Sequence, residues 1–184
     1  MAEQNPPVQA VFQTVYTAIA DVNIANTTTE TSMFSPSMNS MEGGLTILPN
    51  SLYIGRTYQV TIRGLYSTFA VLPGNLTVRI KVGGTTVATA VATSTLLGSV
   101  TQHGFLVTFT MTARALGATG TLTTAGDLAL TAATGLRQFY EVNTTGGATI
   151  DTTQARTIDV TAQWAVANAG NTITVQTATV SRLL

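Results

Sequence analysis

The sequence contains no cysteine, which excludes disulfide staples and thiolate metal sites. Charge is nearly as scarce, at 9% of residues against roughly 25% in an average globular domain. Eight Lys and Arg balance eight Asp and Glu, so there is no net charge. The basic residues (Arg56, Arg63, Arg79, Lys81, Arg114, Arg137, Arg156 and Arg182) are scattered along the chain. A nucleic-acid partner would require them gathered on one face. No apolar run approaches the roughly 20 residues of a membrane helix. The opening MAEQNPPVQA carries an acid and two prolines but no apolar stretch. It therefore does not read as a signal peptide, and synthesis in a cytoplasm is expected.

Threonine is what the chain has in quantity, 37 of its 184 residues. A β-branched side chain suits a pleated sheet, and its hydroxyl satisfies water without adding charge. A polar, nearly uncharged surface suits a subunit of a large assembly, where self-repulsion is unwanted. The length suits one domain with a core large enough to stand without staples.

The clearest organisation lies between Leu48 and Ala90. In Arg56–Tyr66, Tyr58, Val60, Ile62, Gly64 and Tyr66 share one face. In Leu76–Val82 the residues Leu76, Val78, Ile80 and Val82 alternate with Thr77, Arg79 and Lys81. That period of two marks half-buried strands. Gly83-Gly84 predicts a tight hairpin to Thr85–Ala90. Phe105–Leu116 and Thr157–Ala165 alternate equally well, the second placing Ile158, Val160, Ala162 and Trp164 inward. Thr121–Leu130 reads as a partner strand interrupted at Gly126-Asp127, a bulge or loop candidate. Leu136–Thr145 and Thr172–Leu184 complete the strand set.

Before this block the pattern is ambiguous. Val11, Val15, Ile19 and Val22 sit near helical spacing, whereas their β-branched content favours an extended segment or arm. Residues 26–34 read as a short polar strand. Phe34, Met38 and Met41 then either close one end of the core or pack on a neighbour. The expected architecture is all-β: an antiparallel two-sheet β-sandwich, jelly-roll-like, with an extended N-terminal arm. Residues 1–25 are taken as the arm and 26–184 as a single sandwich domain. An immunoglobulin-like strand order is the competing topology.

Chemistry is hard to find. His103 is the one histidine, beside Gly104 in an expected turn, and no serine sits in a nucleophile elbow. Asp127, Glu141, Asp151 and Asp159 lack metal-loop spacing. No catalytic, metal-binding or cofactor-binding residue is identified, and an enzyme is not expected. Trp164, Tyr53, Tyr58, Tyr66 and Tyr140 raise the idea of an aromatic platform for sugar rings, although the register of Trp164 places it in the core.

The stretches TTTET (27–31), LPNSLYIGRTYQVTIRGLYST (48–68), LTVRIKVGGTTVAT (76–89), GATGTL (117–122) and DVTAQWAVANAGNTITVQTATV (159–180) resemble small β-rich virion structural proteins of tailed bacteriophages. The resemblance runs from about residue 22 onward. It implies a capsid decoration (cement) protein, or a head-fibre or tail accessory module that binds host-surface glycans. On the first reading the partners are the major capsid protein and further copies of the chain, as a homotrimer, with neither nucleic acid nor membrane involved. The protein would be made in the host cytoplasm and reside in the virion. The arm would make the contacts, with Phe12, Tyr16 and Phe34 as the candidate residues.

Overall fold

A computed structural model describes residues 12–35, 38–40, 45–71, 73–93, 98–144 and 147–183. Among them there are strands and turns but no helix. The strands are β1 (Phe12–Ala18), β2 (Val22–Ala25), β3 (Thr31–Ser32), β4 (Met38–Ser40), β5 (Thr46–Ile47), β6 (Thr57–Ser67) and β7 (Leu76–Val82). They continue as β8 (Thr85–Ala92), β9 (His103–Ala115), β10 (Gly120–Thr131), β11 (Arg137–Glu141), β12 (Ala148–Ile150), β13 (Arg156–Trp164) and β14 (Thr172–Leu183). They form two antiparallel sheets packed into a sandwich. The larger runs β11-β10-β9-β6-β14-β1-β4, and the smaller β3-β13-β7-β8.

The strand order decides the topology. β1 and β2 follow one another along a single edge of β14, from Phe12 opposite Leu183 to Ala25 opposite Thr172, and act as one strand. β3 and β5 do the same along β13. Setting β4 and β10–β12 aside leaves eight strands. The large sheet then reads first–eighth–third–sixth and the small one second–seventh–fourth–fifth, which is the jelly-roll order and not the immunoglobulin one. β10–β12 extend the large sheet beyond β9. This extension also reaches β8, the edge of the small sheet, where the Thr144 hydroxyl donates to the Val87 carbonyl at 2.6 Å.

The core lies where the alternation placed it. Val60, Ile62, Val78, Ile80, Val107, Val160, Ala162 and Trp164 are all wholly buried. Gly83 and Gly84 both have positive φ, as a two-residue hairpin turn requires.

Three expectations need correction. The arm drawn through residue 25 is part of the sandwich from residue 12 onward, because β1 and β2 pair with β14. A register shift between Thr14 and Tyr16 explains the misleading pattern. At this bulge Val15 and Tyr16 are consecutive and both buried, which breaks the period of two. Next, β10 runs unbroken through Gly126-Asp127, and its irregularity falls at Thr121/Leu122 instead. Gly126 is there because a Cβ would enter the backbone of Thr108 and Phe109 on β9. Finally, His103 opens β9 opposite Tyr66 and does not sit in a turn.

Candidate functional surfaces

The predicted contact residues take different positions. Tyr16 and Phe34 are 1% and 5% exposed and meet edge to face, ring centroids 5.1 Å apart. The Tyr16 hydroxyl accepts the backbone N–H of Ser35 at 3.2 Å. These side chains join β1 to the segment after β3 inside the protein. Phe12 lies in β1 opposite Leu183. Met41 lies outside the described residues.

His103 is structural in its contacts. Its Nδ1 is 3.0 Å from the carbonyl oxygens of both Thr131 and Ala132. Carbonyls only accept, so Nδ1 carries the proton and clasps β9 to the end of β10. The acids are dispersed. Asp151 accepts from the N–H and hydroxyl of Thr153 and faces Arg156 at 3.5 Å. Asp159 accepts from the Ser32 hydroxyl at 2.6 Å. Asp127 and Glu141 stand opposite each other on β10 and β11. No cluster of three metal-capable side chains exists among the described residues.

The densest polar group lies on the outer face of the small sheet. Glu30, just before β3, receives Lys81 at 2.7 Å and the Thr161 hydroxyl at 2.6 Å on Oε1, with Arg79 at 3.4 Å from Oε2. Arg79 also donates to Gln163 at 2.7 Å, and Gln163 donates to the Thr28 carbonyl at 2.8 Å. The network ties the β2–β3 connection onto β7 and β13. Hydrogen bonds from Lys81 and Thr161 hold the Glu30 carboxyl below its ordinary range. A depressed folded-state pKa stabilises the fold above the unfolded value of 4.5, and that contribution is lost as pH falls through the folded value. Glu30→Gln is therefore expected to cost about 1 kcal/mol at neutral pH. The variant and the parent should converge in acid. Urea midpoints at both pH values test this, and an equal gap at both would refute the linkage.

Beside β3 an apolar-lined groove of about 480 Å³ opens between Val22, Phe34 and Leu45. Its polar rim includes Ser32 and Asp159, which are bonded to each other.

The aromatic platform does not assemble. Trp164, Tyr66 and Tyr58 are 0%, 1% and 9% exposed. Burial raises the Tyr66 phenol to about 12, and its hydroxyl donates to the Thr131 carbonyl at 2.7 Å. Tyr140 is half-buried. Tyr53 is exposed, with the Arg56 guanidinium 4.2 Å from its ring centroid.

The exposed apolar side chains are informative: sequence reasoning had singled out Tyr53 among them but missed Leu48, Ile54 and Leu116. Leu48, Tyr53, Ile54 and Leu116 all belong to loops at one pole of the sandwich. Backbone bonds tie this pole together: Gly55 donates to the Ala113 carbonyl at the end of β9, Asn50 to the Thr152 carbonyl, and Thr152 in turn to the Gly117 carbonyl in the β9–β10 loop. β1 also starts at this pole, where Phe12 faces Leu183 and Arg182 faces Tyr58. Nothing in the period of the β5–β6 loop marks Ile54 as exposed.

No family model, curated protein or solved structure matches the chain.

Proposed function

We propose that the chain is a non-enzymatic structural protein of a tailed-bacteriophage virion. In this reading it is a decoration (cement) protein that binds the major capsid protein as a homotrimer and stabilises the shell. The observation that carries the proposal is the pairing of a sparsely charged, threonine-rich jelly roll with one pole bearing Leu48, Tyr53, Ile54 and Leu116. Ile54 is 67% exposed and Leu48 52%, and clustered exposed apolar side chains of this kind mark interaction sites. The motif resemblance supports the same assignment. Contact through the pole replaces contact through Tyr16 and Phe34. Repeated attachment across a lattice would let weak single contacts sum to firm binding.

The competing reading, a head-fibre or tail module gripping host glycans, needs adjacent exposed rings. Of the five aromatic candidates only Tyr53 is exposed.

The test is to mix the purified chain with undecorated capsids and image them. Trimers at fixed lattice points are expected. Ile54→Asp should lower occupancy at least tenfold while leaving the circular dichroism unchanged. A deletion test of the arm has to stop before residue 12, since longer deletions remove β1. Wild-type protein that ignores the shell at micromolar concentration would sink the reading.

A further inference from the structure

β11 is the terminal strand of the large sheet, paired with β10 on one side. Val142 donates to the Gly126 carbonyl and Ala132 to the Leu136 carbonyl, both at 2.8 Å. These bonds fix the phase of the ladder. Residues 136, 138, 140 and 142 turn their backbone groups towards β10, and Arg137, Phe139 and Glu141 turn theirs outward. Among the described residues no strand other than β10 pairs with β11, so those three outward residues have no ladder partner. Their side chains are exposed as well, Phe139 at 63%.

Charges on an edge strand ordinarily block edge-to-edge pairing. Here their arrangement does the opposite. Arg137 has no ion-pair partner among the described residues. Glu141 stands across the ladder from a like charge, Asp127, and its carboxylate accepts only the Asn143 amide, at 3.2 Å. One end of the edge lacks an anion and the other lacks a cation.

We propose that β11 is a docking edge for β11 of a second copy, antiparallel about a two-fold axis at Phe139. That register sets Arg137 opposite Glu141 of the other copy, twice, and Phe139 opposite its equivalent. It also joins the outward backbone groups of residues 137, 139 and 141 to the same groups across the axis. Centring on residue 138 or 140 instead would set Phe139 against Arg137 or Glu141 and leave the charges unmatched. Cross-strand opposite-charge and aromatic pairs each favour pairing, and like charges directly opposite disfavour it. The contact does not depend on the virion reading. It would join assemblies made through other surfaces as readily as single chains.

Sedimentation of the full chain over a concentration series tests the edge through charge reversal. Arg137→Glu and Glu141→Arg each create two like-charge pairs across the axis, and each should weaken self-association roughly tenfold. The double variant R137E/E141R restores both pairs with reversed polarity and should return to within about threefold of the parent. A parent that sediments identically to R137E at every concentration overturns the proposal. A double variant no better than either single one overturns it equally, since the association would then use another surface. Circular dichroism of all four proteins, substituted only at exposed positions, shows that the fold is kept.

Discussion

Replacing Gly64 by alanine is expected to unfold the protein, or to cost more than about 3 kcal/mol. Gly64 lies in β6, between β9 and β14, where the ladder to β14 shifts between Val175 and Thr177. The shift draws the β14 backbone towards Gly64. A Cβ there would penetrate the carbonyl oxygen of Thr174 and lie 2.9 Å from Phe105 Cε1. Phe105 can yield, but a carbonyl in a strand paired on both sides cannot move without breaking ladder bonds. Gly84→Ala is the control. It has φ of +81 and nothing within 4 Å of its Cβ, so it should cost only about 1 kcal/mol from backbone strain. Trp164 is the sole tryptophan and is fully buried, so its fluorescence reports unfolding for every variant. Equal losses from the two substitutions would show that the close approach is not rigid.

Asn171 is the second position where a small change should have a large effect. It is wholly buried. Its Oδ1 accepts the Phe69 N–H at 3.0 Å, and its Nδ2 donates to the carbonyls of Pro73 at 2.6 Å and Val166 at 3.1 Å. Its own carbonyl accepts from Asn26 at 3.2 Å. One side chain thus joins the β6–β7 and β13–β14 connections, and its backbone adds the end of β2. Asn171→Ala strands three backbone groups. At roughly 1–3 kcal/mol for each unpaired buried group, partly relieved by entering water, a loss of about 3–5 kcal/mol is expected. Asn171→Asp should be worse at neutral pH, because a carboxylate would face two carbonyl oxygens, and should recover in part as the solution is acidified. Thermal melts across pH separate these outcomes. A pH-independent N171D variant would mean that the loops open and let water in.

These two residues also show where sequence reading reaches its limit. The alternation in β6, β7, β9 and β13 was legible because each buries one face only, and side-chain period then follows directly from burial. Gly64 was assigned to the inward face of β6, correctly, but the reason for glycine there is set by a bulge in β14, more than a hundred residues away. Nothing in the sequence marks Asn171, since a turn asparagine and a buried one look alike until the loops around them are placed. Tyr16 and Phe34 looked like partner contacts because the bulge in β1 hid the strand that buries them. The interaction surfaces were the least legible. Arg137, Phe139 and Glu141 become an edge only once β10 is known to be the one strand that pairs with β11 among the described residues. The loops bearing Ile54 and Leu116 become neighbours only through β6 and β9.

The place of β14 bears on how the protein is made. It lies inside the large sheet, between β6 and β1, yet it follows every other described strand in sequence. On a ribosome, β1 and β6 emerge long before the strand that must sit between them. Until residue 183 is free, a nascent chain carries two strand edges facing a gap. The large sheet is therefore expected to close only once β14 has left the ribosome, and the exposed intermediate is the species a cell's chaperones would meet.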